Sequence, residues 1–305
     1  MWTIGARAAF AHYAFTGISR HHLRQLVDEL RPAFAAAREG RLYARRRHER
    51  RRRAGAGRLP ALSFADRVVA TLVYLRLAIP HEALAVVFGV DRTTITRAIG
   101  QIRPLLAARG CATPDGVRLH TLADVFAYAA NAGVTLRLDA TEVRVRRPRA
   151  GRVGRKAFIS GKLKQNTIKG SVVSDADGFT VWCGGFRPGR MHDATAIRTE
   201  GIDALLDCWP QVQVLVDAAY RGLANDHPGQ VHPPPLPPPK TAPEPVRQCW
   251  RQKRKAQSSQ RIPVEHAIAE MKWWRQLQRF TGRRELLPET FTAIASLVSD
   301  RLITW

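Results

Sequence analysis

Carboxylates are scarce in this 305-residue chain: 25 Asp and Glu stand against 49 Lys and Arg, a formal net charge of +24 at pH 7. Such a deficit of acid makes a protein repel itself unless a polyanion offsets it, and nucleic acid is the commonest such partner. Long apolar runs are missing too; none approaches the roughly 20 residues that span a bilayer. The opening MWTIGARAAFAHYAF is interrupted by Arg7 and His12 and has no clean secretory core. Cysteine is sparse, and Cys111, Cys183, Cys208 and Cys249 lack metal-type or redox-type spacing. They read as small apolar residues of a reducing cytoplasm. Hydrophobic content of 45% is ordinary, so packed cores are affordable, and the length suggests two domains.

Residues 18–39 carry Ile18, Leu23, Leu26, Val27, Leu30 and Phe34 at helical spacing, an amphipathic helix. The arginine-dense RLYARRRHERRRRAGAG that follows reads as a solvated arm able to lie along phosphates. Phe64, Val68, Val69, Leu72, Val73 and Leu75 mark the next helix, and a shorter one runs from Pro80, placed at its first position, to Phe88. Gly89-Val90 breaks the pattern. Asp91 is a plausible N-cap for a third helix with Ile95, Ile99 and Ile102 inward. Helix, glycine-containing turn and capped helix have the spacing of a DNA-reading helix-turn-helix. Arg92, Thr93, Thr94, Thr96 and Arg97 then stand where base edges and phosphates would lie.

After a short helix at 121–130 the texture changes. VTLRLDATEVRV alternates like a strand, and TIKGSVVSDADGFTVWCGGF gives two more strands around Asp177-Gly178. HDATAIRTEGIDALL reads as one helix capped by Asp193, and VQVLVD as a short buried strand. The proline-rich stretch at 231–245 cannot be regular structure, and the pattern from about Val246 onward is helical, interrupted near Gly282 and Pro288. Three strands, a helix and a fourth strand define an α/β sheet of ribonuclease-H type. Asp139 ends the first strand and Asp217 the fourth, so one sheet edge would hold both carboxylates. Glu265 shares a helix face with Ile268 and Lys272; taken alone it reads as a surface residue paired with Arg261.

The stretch Arg261, Glu265, Lys272 resembles the R-x3-E-x6-K signature of insertion-sequence transposases of the DDE superfamily. A tyrosine usual three residues before the arginine is Ser258 here. LDATEVRVRRP, FISGKLKQNTIKGSVV, PGRMHDATAI and VLVDAAYRG resemble successive blocks of the Harbinger-related bacterial group, covering roughly Leu59 to Phe280. The resemblance implies a catalytic, metal-holding triad of Asp139, Asp217 and Glu265 with two Mg²⁺ or Mn²⁺ ions. Three carboxylates within about 4 Å repel by a few kcal/mol per pair at a surface-like dielectric. They need divalent cations, and hard oxygen ligands select Mg²⁺ or Mn²⁺ over zinc. Asp193, with His192 beside it, is the rival ligand, although helix capping suits Asp193 better. Arg144, Arg146, Arg147, Arg155, Lys156, Lys162, Lys164 and Lys169 would track phosphates, with Arg261 and Lys272 holding DNA near the metals. Trp273 or Trp274 could stack an unpaired base, with core packing the better use of at least one; His266 would face away from the site.

The expected organisation is an N-terminal helix and arm at 1–58, a helix-turn-helix domain at 59–130 and a ribonuclease-H-like catalytic domain at 131–305. The expected activity is binding of the inverted ends of a mobile element, metal-dependent cleavage and strand transfer into target DNA, by a homodimer without membrane contact. The alternatives are a DNA-binding regulator with a relic catalytic domain and a metal-dependent endonuclease that cuts without transfer.

Overall fold

The structure is a computed structural model and describes residues 3–49, 59–148 and 154–302. The chain divides between Arg109 and Gly110 into two compact units, with residues 274–276 returning to the first. The segment 59–130 of the sequence reading therefore straddles the division, and the part of the arginine run at 50–58 lies outside the described residues.

The first unit is all helical: α1 (Thr3–Phe10), α2 (Tyr13–Thr16), α3 (Arg20–Arg46), α4 (Phe64–Leu77), α5 (His81–Phe88) and α6 (Arg92–Ala107). At its centre is α4, in which every residue from Val68 to Leu75 is buried. Its start is fixed by a capping box, the Asp66 N–H donating to Ser63 Oγ (3.1 Å) and the Ser63 N–H to Asp66 Oδ2 (3.0 Å). Along α6, Ile95, Ala98, Ile99, Ile102 and Leu106 form one buried stripe. A bidentate pair of Arg109 with Glu29 (2.8 and 2.7 Å) ties the end of that helix to α3. The returning Trp274 is fully buried, with the Arg76 guanidinium 5.6 Å from its ring centre. Two expectations change. Helical backbone runs through Arg46, so α3 absorbs the first part of the arginine run. Pro80 is the N-cap of α5, one residue before its first turn.

The second unit is built on a mixed sheet. It comprises β1 (Cys111–Ala112), β2 (Arg118–Leu119), α7 (Leu122–Ala132), β3 (Leu136–Val145), β4 (Thr167–Ser174), β5 (Thr180–Pro188), α8 (Asp193–Arg198) and α9 (Ile202–Cys208). There follow β6 (Val214–Leu215), α10 (Arg221–Asp226), β7 (Val231–His232), α11 (Glu244–Lys272), β8 (Arg279–Phe280) and α12 (Leu287–Ser299). The main sheet has the order β5-β4-β3-β6-β7, with β8 alongside the far end of β3. Strands β3, β4 and β5 are antiparallel, whereas β6 and β7 run parallel to β3. This is the expected ribonuclease-H-like α/β arrangement. Leu136 and Leu138 point into a core with Val125 and Phe126 of α7, Ile197 of α8 and Leu206 of α9. Alternation along a strand sends Arg137, Asp139 and Thr141 to the opposite face, where α11 packs.

Four local expectations are corrected, the first being that 231–245 is wholly irregular: it supplies β7 at its start and the first residues of α11 from Glu244 at its end. Asp139 does not end its strand, because β3 continues to Val145 against β4. The helix expected from 193 onward is two short helices, broken where Gly201 takes φ +79°. Its N-cap is His192, with Asp193 the first residue of α8, and no side chain supplies the cap bond. No helix among the described residues is long and apolar enough to cross a membrane.

Candidate active site

Parallel pairing of β3 with β6 aligns Leu136 with Val214 and Arg137 with Leu215. Asp217 follows two residues past that pairing, near Asp139, whose carboxyl feels its charge. The backbone holds both carboxylates by local bonds. Asp139 Oδ1 accepts from the Ala140 N–H (2.7 Å), and Asp217 Oδ1 from the Ala219 N–H (2.8 Å) at the entry to a single 3₁₀ turn. Asp139 Oδ2 also accepts from Arg261 Nη2 (2.9 Å), while Arg137 on the same face donates to the Gln260 carbonyl (2.5 Å). Two adjacent guanidinium contacts thus seat α11 over β3.

Burial is the main influence on Asp139 and raises its carboxyl from 3.8 to about 6. Arg261 and the Ala140 N–H pull it down, while Asp217 and Asp193 push it further up. The carboxyl of Asp193 reaches the same neighbourhood from α8 and is ion-paired with Lys169. Lys169 is buried, and its Nζ also donates to the Met191 carbonyl (2.6 Å). It is therefore removed from the expected set of phosphate-tracking residues, being committed within the fold. The fully buried Tyr220 stands among Asp193, Asp139 and Asp217; burial first, then these three charges, raise its phenol well above the usual value.

Glu265 lies one turn beyond Arg261, and Lys272 two turns further on; at 100° per residue all three fall within about 40° of one another on α11. The Glu265 side chain is exposed and makes no hydrogen bond or ion pair among the described residues. In particular it does not form the surface pair with Arg261, whose partner is Asp139. Lys272 is half-buried, and that burial lowers its ammonium from the usual value, with Lys162 and Arg144 adding and Glu142 and Asp139 opposing. The structure thus draws Asp139, Asp217 and Asp193 together and sets Arg261 and Lys272 around them, with Glu265 on the shared helix face. Among the described residues no three His, Cys, Asp or Glu side chains stand close enough to hold a metal ion. The donor chemistry still suits a hard divalent cation: adjacent oxygen donors, one of them desolvated enough to resist ionisation without added positive charge.

The remaining expected contacts are distributed as follows. Lys162 and Lys164 lie exposed in the loop before β4. Glu142 accepts from the Thr167 hydroxyl (2.7 Å), a structural bond within the sheet. Trp273 is 55% exposed with Arg301 over its ring, whereas Trp274 is in the core. His192 and His266 are exposed. In the first unit Arg92, Thr93, Thr96 and Arg97 are exposed on the first turn and a half of α6 and Thr94 is half-buried. Gly89, with φ +61°, makes the turn between α5 and α6. Sequence reasoning gave Lys169 the wrong role and missed Tyr220 and Arg137. Lys169 and Arg137 sit at alternating strand positions that read as ordinary polar sites, and the only signal for Tyr220 was its offset of three from Asp217.

A sheet of this order, with Asp139 inside β3 and Asp217 just past β6 beneath a helix carrying Arg, Glu and Lys, has a ribonuclease-H-like architecture. Residues 138–299, just over half of the chain, match the family described as DDE superfamily endonuclease, and residues 60–112 match the helix-turn-helix of DDE superfamily endonuclease. The chain belongs to the DDE superfamily of endonucleases and carries that family's DNA-binding helix-turn-helix. It is similar to a protein described as a probable transposase for insertion sequence element IS702 from Microchaete diplosiphon. The two are 21% identical over 212 residues, 70% of this chain and 66%, just under two thirds, of that relative. No solved structure matches.

Proposed function

We propose that the protein is a transposase that binds the inverted ends of a mobile element and performs metal-dependent cleavage and strand transfer. The observation that carries this reading is the register that sets Asp217 near Asp139 under the Arg261–Glu265–Lys272 face. Asp139, Asp217 and Glu265 are the catalytic, metal-holding carboxylates, and Asp193, anchored by Lys169, tunes the charge felt by Asp139. DDE-superfamily endonucleases work with divalent metal ions. Two Mg²⁺ or Mn²⁺ ions, when bound, would supply an activated oxygen nucleophile and stabilise the leaving oxygen of a phosphodiester. Arg261 keeps the Asp139 carboxylate oriented across the sheet. Lys272, with Lys162 nearby, presents cationic donors to a phosphate, and Lys164 extends that surface. Arg92, Thr93, Thr94, Thr96 and Arg97 read the element's end through the major groove. Joining two ends calls for two active sites, hence a homodimer in the working complex, with double-stranded element-end and target DNA as partners.

The test is a supercoiled plasmid carrying candidate ends, incubated with protein and Mg²⁺. Wild type is expected to nick at the ends and to join a labelled 3′-hydroxyl end to target plasmid. Asp139→Ala, Asp217→Ala and Glu265→Ala are each expected to lose at least about a hundred-fold in cleavage, while retaining end binding. Nicking without joining would leave a simple endonuclease. End binding indifferent to Mg²⁺, with no nicking by wild type, would leave a regulator. Cleavage retained by Glu265→Ala but lost by Asp193→Ala would replace the third ligand.

A further inference from the structure

Helix α11 changes character at Pro263. After it, Val264, Ala267 and Met271 are buried; from Glu244 to Pro263 no residue is. A five-turn helix half without a buried residue lacks the amphipathic packing that ordinarily stabilises helices in proteins and is held only by a few polar contacts. Its composition is not neutral: Arg247, Arg251, Lys253, Arg254, Lys255 and Arg261 face one carboxylate, Glu244. Glu244 pairs with Arg247 and Arg251, while Arg254 and Lys255 have no carboxylate partner among the described residues.

One side of this half forms a groove of about 410 Å³, with Trp250, Arg251, Arg254, Lys255, Ser258 and Ser259 along it. The groove is braced. The Arg254 guanidinium sits 5.3 Å over the Trp250 ring, and the Trp250 Nε1–H donates to the Pro235 carbonyl (3.1 Å) in the proline-rich segment. Next to Pro235, the Pro234 carbonyl accepts from Arg221 (2.6 Å). Gln257 donates to the carbonyl of Val216 (2.9 Å), the residue between Leu215 of β6 and Asp217. An exposed helix is thus tied back at Trp250, Gln257 and Arg261, leaving its cations and two hydroxyls facing outward.

We propose that this groove is a second DNA-backbone site, which binds duplex phosphates flanking the cleavage point; it deepens the transposase reading and rests on it for the identity of the polyanion. Fixed guanidinium and ammonium groups interleaved with serine hydroxyls are phosphate donors without base information, so the contact positions the duplex and does not select sequence. From Trp250 to Glu265 the helix rises about 22 Å at 1.5 Å per residue. At 3.4 Å per base step, that distance corresponds to roughly six base pairs between groove and cleavage point. The proline-rich segment, without a role so far, anchors Trp250 at the end of the groove.

The test uses the full-length chain in EDTA with a fluorescent 30-base-pair duplex of arbitrary sequence. For Arg251→Ala/Arg254→Ala/Lys255→Ala, affinity is expected to fall at least about ten-fold, and the log–log salt slope to drop by about 2–3. A second readout leaves the charges in place. Ser258→Cys puts a thiol in the groove, and native Cys249, nine residues earlier, lies on the opposite side of the helix. Bound duplex is expected to protect position 258 from maleimide and leave Cys249 reactive. Unchanged affinity and slope, or equal reactivity at both thiols with duplex bound, would overturn the proposal. So would a triple variant that binds DNA normally but changes its sedimentation, since the face would then join protein copies. Because no metal is present, a protein that shows protection yet never cuts plasmid refutes the transposase reading and not this one.

Discussion

At the scale of single residues, Asp139 carries the sharpest consequence. Its folded carboxyl titrates near 6 against an ordinary 3.8, chiefly through burial. A raised folded value means its contribution favours the fold below about pH 4 and is lost as pH rises through 6. In metal-free protein Asp139→Asn should therefore be more stable than wild type at pH 7.5, by at most about 3 kcal/mol at 1.36 kcal/mol per pKa unit. The two should converge near pH 4. Urea unfolding at both pH values checks this; equal stabilities at pH 7.5 would mean the carboxylate is not desolvated. Mg²⁺ should raise wild-type stability and leave the variant little changed. Asp139 and Asp217 were legible in the sequence because each follows a run of strand-type residues. Lys169 and Asp193 were misread, because a lysine in an alternating strand and an acid before a helix both have ordinary explanations. Only the three-dimensional pairing removes those.

At the scale of elements, the ends matter as much as the interiors. Thr121 and Asp124 form a capping box at α7, the helix beneath the β3 core face, with the Asp124 N–H donating to Thr121 Oγ1 (3.1 Å). Thr121→Ala should cost about 1 kcal/mol in chemical denaturation, and an unchanged midpoint would show the box is idle. In the turn before α6, Gly89→Ala forces a side chain into the left-handed region at φ +61°. A cost of about 1–2 kcal/mol follows, with weaker DNA binding measured by anisotropy; normal stability would mean the turn can relax. Long helices and the β3–β5 meander were readable from periodicity. The two-residue strands β6, β7 and β8 are set by neighbours rather than by local pattern, so VQVLVD alone announced one of them. The basic half of α11 was legible as helix from about Val246, but not as a surface of its own, because none of its residues is buried to set one face apart.

At the scale of the whole molecule, a chain with 24 excess positive charges offers DNA at least two surfaces of different kind. One lies on α6 and combines short hydroxyls with arginines; the other lies on α11 and is nearly pure charge. Removing Arg92 and Arg97 should weaken binding most for the element's own ends, whereas the α11 triple variant should weaken all duplexes alike. If the two surfaces act independently, the free-energy losses add when the variants are combined, and competition assays with cognate and scrambled duplex measure this. A loss on α11 that depends on sequence would contradict its assignment as a backbone contact.

The unpacked half of α11 has one more implication, for the life of the protein without its ligand. None of its residues is buried, and nearly every turn offers an arginine or lysine bond to a trypsin-like protease. Limited digestion of the free chain should open first between Arg251 and Lys255, separating the Glu265 helix face from the strands that hold Asp139 and Asp217. Duplex seated there would close that vulnerability, so nicking rate doubles as a gauge of occupancy.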